Sequence, residues 1–347
     1  MIYGNVFADG HSNNSLFEAE DSAHRYNPTH TARLLRKTFL AQGIEINTAD
    51  VNQGRQVAFD LHLEGRQFVE DGIPKYLIAQ ENPNINRLNE SHEYCRRFAK
   101  VFAWDARLFD LPNVVKILVP NQLSHDRFSG YEERGIFSCL INANKAFREA
   151  LPSDLYLERI NTIHWYESHD PAKFELYGMG WAKPTPAFDF LGKVRRSIPS
   201  LGAKLFGYKP FPSYRGEVRD KAEVLRRSKF SYCYENTRNL SNYITEKIFD
   251  SLVNGCVPVY WGADNVLDYI PADCFVDRRA FRDTAAVHEF LLSISPADYA
   301  KYQSNIARFL DSDAARMFSA ENFTSTIVSH ISQDVTSNVK GQNIIPC

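Results

Sequence analysis

Apolar and polar positions along the chain change period repeatedly, between the two-residue period of a strand and the longer period of a helix. The opening MIYGNVFA (1–8) reads as a strand. HTARLLRKTFLAQG (30–43) puts Leu34, Leu35 and Phe39 at helical spacing, and Gly43 suits the end of that helix. IEINTAD (44–50) reads as a second strand. RQVAFDLHL (55–63) alternates strictly, so Val57, Phe59, Leu61 and Leu63 share one face. KYLIAQE (75–81) is a compact buried strand that ends in Glu81 and is broken by Asn82-Pro83. KVFAWD (100–105) and VVKILVP (114–120) follow as further strands. Strands alternating with helices predict an α/β domain built on a mainly parallel sheet.

Between about 165 and 215 the pattern breaks into a stretch rich in Pro, Gly and aromatic residues, with one strand and glycine loop in KFELYGMGW (173–181). A domain junction is expected near 165–175, with a long loop after it. A second α/β unit then follows: strand KFSYCYE (229–235), a polar loop, helix TEKIFDSLVNG (245–255) and strand CVPVYWG (256–262). Ile248, Phe249, Leu252 and Val253 form one helical face, and Gly255 ends the helix. DCFVD (273–277) reads as another strand, followed by helical runs over 285–294 and 297–312. The domains expected are 1–165, 172–315 and a helical tail over 316–347.

Composition narrows the function. The chain has 347 residues, enough for two domains, and its net charge of −2 offers no electrostatic footprint for nucleic acid. The chain as given shows no basic start leading into an apolar stretch and no run of ~18 apolar residues. A cytoplasmic protein is expected, at most peripheral at the inner membrane face. The six cysteines include no C-x-x-C pair, and buried free thiols are expected.

The informative stretch is YENTRNLSNYITEK (234–247). Ligands of open α/β sheets collect beyond the carboxyl ends of strands, where this loop lies. A helix start favours phosphate, and Lys247 adds a point charge there. Glu246 is suited to the paired hydroxyls of a ribose or a sugar. Cation and carboxylate together point to a sugar nucleotide. The bland alternative is a dipole-favoured Glu246 beside a solvated Lys247.

The longer stretch KFSYCYENTRNLSNYITEKIFDSLVNGCVPVYWG resembles the donor-binding motif of the family-ten α-1,3/4-fucosyltransferases, which are inverting glycosyltransferases. The matching positions are Tyr234-Glu235-Asn236, Tyr243-Ile244-Thr245-Glu246-Lys247, Val257-Pro258-Val259 and Trp261-Gly262. The similarity covers about 172–282, and the N-terminal half matches loosely. The resemblance implies two facing Rossmann-like domains (the GT-B architecture) with the active site between them. It also implies GDP-fucose as donor, contacted by Tyr243, Glu246 and Lys247. Glu235, Asn236 and Arg238 join them as candidate donor-binding residues. The implied acceptor is an oligosaccharide or lipid-linked glycan, with lipopolysaccharide and N-acetyllactosamine types as precedents and α-1,3 linkage expected. A catalytically silent glycan-binding protein and the use of another GDP-sugar stand as alternatives.

Inverting transfer needs a base for the acceptor hydroxyl. Glu81, at the end of a buried strand, is the candidate, and Glu70 and Glu132 compete on charge alone. The family's mid-chain arginine has no clear equivalent. Asn144 stands where it is expected in NANKAFREAL (142–151), leaving Lys145, Arg148 or Arg215 for the second cation. His164 and His169 do not share a helical face, and no loop D-x-D pair is present. A metal-independent reaction needing no cofactor is expected, open to stimulation by a divalent cation. Trp181 and Trp261 are candidates for stacking, with core packing as the alternative.

Overall fold

In a computed structural model, which describes residues 1–18, 29–149, 151–186 and 209–342, the chain forms two all-parallel six-stranded sheets. The first holds β1 (Ile2–Phe7), β2 (Ile44–Thr48), β3 (Phe59–Leu63), β4 (Lys75–Ala79), β5 (Lys100–Ala103) and β6 (Val114–Lys116), in the order β2-β1-β3-β4-β5-β6. The second holds β7 (Ile136–Ile141), β8 (Phe174–Tyr177), β9 (Tyr214–Gly216), β10 (Ser228–Tyr234), β11 (Val257–Trp261) and β12 (Val276–Asp277), in the order β12-β11-β10-β7-β8-β9. Each unit is Rossmann-like, as expected: parallel strands joined through crossovers, with apolar faces covered on both sides.

The first unit comprises Met1–Gln122, Ser241–Tyr243 and the chain from Arg316 onward. On one sheet face Phe39, Ile46, Phe59, Leu61, Ile78 and Phe102 pack with Phe323, Ile327 and Ile331 of the C-terminal helix Ala320–Gln342. On the other, Leu77, Val101 and Ala103 pack with Tyr94, Phe98, Leu108 and Leu111. The tail expected as a separate element is therefore part of this core.

The second unit comprises Leu123–Leu240 and Ile244–Ala315. The expected junction at 165–175 falls inside it. The Leu155–His169 helix and β8 both belong to the second unit. Of the Pro/Gly/aromatic stretch, residues 187–208 lie outside the described residues. Central to the sheet is β7, IFSCLI, which the pattern reading passed over because both of its faces are buried and no alternation shows. The same burial explains β3. Its polar positions Asp60 and His62 are buried too, at 4% and 1% exposure, so the alternation there does not mark a solvent face. Arg134, 2% exposed, pins the amino ends of the second sheet by donating to the carbonyls of Ser129, Leu225, Ser228 and Asn254. Five cysteines are buried free thiols, and Cys347 lies outside the described residues.

Candidate functional site

Strand order fixes where a ligand crevice can open in each sheet. In the second sheet the chain runs outward from β7 through β8 to β9, then returns to β10 and runs the other way to β12. The switch point lies between β7 and β10. In the first sheet it lies between β1 and β3. Loop 235–245 starts at the carboxyl end of β10, beside the second-unit switch point.

Tyr234 ends β10, and the Glu235 N–H donates to the Trp261 carbonyl (2.8 Å), extending the ladder by one residue. The Glu235 side chain is wholly buried. Its carboxylate accepts from the Thr245 N–H (2.9 Å) and hydroxyl (2.8 and 3.0 Å), and Lys247 Nζ lies 3.2 Å away. Gly262 is needed beside it, because a Cβ there would stand 2.4 Å from Glu235 Cγ. Burial pushes the Glu235 carboxyl above its ordinary range, against the pull of Lys247. Glu235 is thus a clamp that closes the loop onto the next helix. As a direct ligand contact the assignment is corrected: no part of its side chain reaches solvent.

Thr245 caps the Glu246–Leu252 helix, its hydroxyl facing the Lys247 N–H. Lys247 Nζ lies 3.0 Å from that hydroxyl and 3.4 Å from Glu246 Oε1, with 14% of the side chain exposed. Glu246 is about one-third exposed. Burial raises its pKa, but Lys247 and Lys221 outweigh that and hold it at about 2, so Glu246 is ionised at any physiological pH. Lys221 itself pairs with Asp250 at 2.8 Å. The motif therefore presents a fixed carboxylate and a partly exposed ammonium side by side.

Arg159, 2% exposed on the Leu155–His169 helix, donates to the Tyr234 carbonyl (2.6 Å), the Glu235 carbonyl (2.8 Å) and Asn236 Oδ1 (3.1 Å). It organises the loop and was not foreseen. Its trace in the sequence is a cation inside the apolar stripe of Leu155, Tyr156, Ile163 and Tyr166. Arg278 was also missed: it is 6% exposed, with its guanidinium 4.9 Å from the Trp261 ring. Arg238 faces the same ring at 5.4 Å and donates to the Pro152 carbonyl (2.7 Å).

Residues 142–149 form no helix. Asn144 donates to the carbonyls of Gly180 (3.2 Å) and Lys183 (2.9 Å), tying the loop after β7 to the loop after β8. Lys145 and Arg148 are exposed. Arg215 lies in β9, 3.6 Å from Glu175. Trp181 is buried and donates to the Asn142 carbonyl (2.5 Å), a packing role. His164 faces Glu167 (3.5 Å) and His169 lies against the Trp165 carbonyl (2.8 Å). Among the described residues no group of three or more His, Cys, Asp or Glu could hold a metal.

In the first unit Glu81 follows β4 and is half-buried, its Oε1 accepting from the Asn82 N–H (2.8 Å). Of its competitors, Glu70 is exposed and paired with Arg97 (2.8 Å). Glu132 precedes β7, at the amino end of that strand, away from the ligand edge. Tyr243 belongs to this unit, not with Glu246 and Lys247. It is 3% exposed, with its ring 4.8 Å from that of Trp104. Asn242 beside it donates to the Trp104 carbonyl (2.9 Å), and Trp104 Nε1 donates to the Gln80 carbonyl (2.8 Å).

No helix among the described residues is long and apolar enough to cross a membrane. The family model for the C-terminal part of glycosyltransferase family 10 (fucosyltransferase) matches residues 202–334. A putative fucosyltransferase-like protein of Arabidopsis thaliana is 43% identical over 83 residues, 23% of this chain and 16% of that protein. The α-(1,3)-fucosyltransferase FucT of Helicobacter pylori is 35% identical over 85 residues, 24% of this chain and 16% of that one. An α-(1,4)-fucosyltransferase of Arabidopsis thaliana is 35% identical over 78 residues, 22% and 19%. The similarity thus spans less than a fifth of each of these relatives. In fold, the sucrose-phosphate synthase of Thermosynechococcus elongatus aligns over 97% of this chain and 100% of its own, with a TM-score of 0.59 at 10% identity. HepE of Anabaena aligns over 96% and 100%, with a TM-score of 0.53 at 10% identity. Both likenesses fit the two Rossmann-like units. Glu235, Thr245, Glu246 and Lys247 all lie inside the stretch, residues 202–334, that matches the glycosyltransferase family 10 (fucosyltransferase) model.

Proposed function

We propose that the chain transfers L-fucose from GDP-fucose to a hydroxyl of an acceptor glycan, with inversion at the anomeric carbon. The observation that carries this reading is the family-ten match over residues that are physically organised as a ligand edge: the Glu235–Thr245–Lys247 clamp at a switch point, with ionised, partly exposed Glu246 beside it. Lys247 is assigned to the diphosphate, whose charge grows as the bond to the sugar breaks. Glu246 accepts from donor hydroxyls. Asn236, Tyr243, Arg238 and Lys145 are further donor candidates in this reading. In the transfer the acceptor oxygen bonds to the anomeric carbon, the bond from that carbon to the β-phosphate oxygen breaks, and its electron pair leaves with GDP. The acceptor proton passes to Glu81, the carboxylate at the end of β4.

An α-1,3 linkage to N-acetylglucosamine or glucose is the reading favoured. The α-(1,4) relative makes the regiochemistry part of the test. The chain is incubated with GDP-fucose, GDP-mannose or UDP-glucose and with lactose, N-acetyllactosamine or N-acetylglucosamine, and products are resolved by mass and linkage. Fucosylated product from GDP-fucose alone is expected. GDP should raise the melting temperature by mass action and UDP at the same concentration much less. Equal shifts from both nucleotides overturn the guanine assignment. Transfer from GDP-mannose in preference to GDP-fucose overturns the sugar.

A further inference from the structure

We infer that Glu64 is a positioning residue for the acceptor base, holding the backbone of Glu81 and setting the charge beside its carboxyl; the inference rests on the reading of Glu81 as that base. Glu64 directly follows β3 and is a non-glycine residue in the left-handed region, at φ 72°. Such a backbone is costly for a residue with a side chain, and persists where surrounding contacts over-determine it. The contacts here are specific. The Glu64 carboxylate accepts from the Gln80 N–H (3.2 and 3.3 Å), the Glu81 N–H (3.0 Å) and Asn89 Nδ2 (2.6 Å). Asn89, 3% exposed, donates from the same nitrogen to the Glu81 carbonyl (3.0 Å). Glu64 and Asn89 together therefore take both backbone polar groups of Glu81, while its carboxylate accepts from the Asn82 N–H (2.8 Å).

The pair is itself anchored. Asn89 Oδ1 accepts from the Gly65 N–H (2.8 Å), and Gly65 has no room for a side chain, since a Cβ would stand 2.6 Å from that of Leu88. On the far side Trp104 Nε1 holds the Gln80 carbonyl. A neutral side chain could accept backbone N–H groups as well as a carboxylate does. A carboxylate adds something more: a negative charge next to Glu81. Burial, and to a smaller degree Glu81, push the Glu64 carboxyl upward, against the hydrogen bonds it accepts. A like charge fixed beside a carboxylate favours its protonated form, which is what a base that takes a hydroxyl proton needs. The other charged groups nearby are Arg66 and Asp9. They pair with each other at 3.0 Å, and Arg66 also donates to the carbonyls of Leu63 (2.6 Å) and Glu64 (3.5 Å).

The test is steady-state transfer from GDP-fucose to whichever of lactose, N-acetyllactosamine or N-acetylglucosamine the wild-type chain fucosylates fastest, across pH. Glu64→Gln keeps the shape and removes the charge. It should lower kcat by roughly 10- to 100-fold, leave KM for GDP-fucose within about 2-fold, and move the acidic limb of the kcat profile to lower pH by roughly half a unit or more. Asn89→Ala frees the Glu81 carbonyl and removes one of the hydrogen bonds the Glu64 carboxylate accepts, while keeping that carboxylate in place. It should lower kcat with the limb unmoved. Wild-type kcat and an unmoved limb in Glu64→Gln, beside an inactive Glu81→Gln, overturn this inference and leave the base assignment standing. Near-normal transfer in Glu81→Gln overturns the base assignment itself. Should Glu64→Gln fail to fold, Asn89→Ala decides: a lowered kcat at unchanged KM supports the inference, and wild-type kcat overturns it.

Discussion

Glu235 is a carboxylate with no solvent, and the cation facing it is the same Lys247 assigned to the donor diphosphate. Removing one member of a buried pair costs more than the pair contributes, because the remaining charge is left uncompensated. Lys247→Met should therefore do two things. It should lower turnover by ~10²-fold, the usual effect of losing an electrostatic stabiliser. It should also lower stability by roughly 3 kcal/mol, through stranded Glu235. The double variant Lys247→Met/Glu235→Gln separates the two, since a neutral amide in place of the carboxylate leaves no buried charge. Its unfolding midpoint should recover most of the loss while turnover stays low. Recovery of both would show that Lys247 serves the clamp and not the donor. Glu246 and Lys247 were legible in the sequence because they are contiguous in an irregular motif. Arg159 was not, because what it holds, the carbonyls of Tyr234 and Glu235, lies 75 and 76 residues away along the chain. No local pattern records such a pairing.

At the scale of elements, most strands were readable and their surroundings were not. The strict alternation in RQVAFDLHL predicts one wet face for β3, yet β3 lies between β1 and β4 and both its faces are covered. The polar positions are accommodated one by one. Asp60 takes Lys75 Nζ at 2.6 Å, and His62 stacks on Phe7 with ring centroids 4.8 Å apart. Neither His62 ring nitrogen has a hydrogen-bond partner among the described residues. Burial, opposed in part by Asp60, pushes the His62 pKa down from 6.5 to about 4. The sign follows from proton counting. Between pH 6.5 and about 4 the unfolded chain binds the His62 proton and the folded chain does not. Stability contributed by neutral His62 is thus complete above the unfolded pKa and is lost as pH falls through that window. The shift is worth about 3 kcal/mol for the first unit. Urea unfolding of the wild type and of His62→Phe, at pH 7.5 and about 4.5, checks it. The wild type should lose the larger share between the two pH values, and an equal loss in both would place the acid sensitivity elsewhere.

At the scale of the whole molecule the chain does not divide where its composition does. The break at 165–215 looks like a linker because Pro, Gly and aromatic residues end the regular periods there. Compactness instead follows the sheets: β7 and the Leu155–His169 helix fall with β8 and β10, and the chain from Arg316 returns to the first unit. Periodicity reveals a helix in the tail but not which sheet it covers, since any exposed apolar face accepts an amphipathic helix. The consequence is testable. Phe323, Ile327, Val328, Ile331 and Val335 are all at most 4% exposed within the core of the first sheet. At roughly 2 kcal/mol each they contribute about 10 kcal/mol of burial, as much as the whole stability of an ordinary domain. Deleting the chain from Ala320 onward should therefore unfold the first unit and spare the second, which contains Glu246, Lys247 and the clamp. Calorimetry should show one unfolding transition lost or shifted far down and the other kept. If donor recognition lies in the second unit, GDP should still raise the remaining transition, while transfer to the acceptor should be abolished with the first unit and its Glu81. Retained transfer, or loss of both transitions together, would show that the tail's place in the first core does not govern that unit's folding.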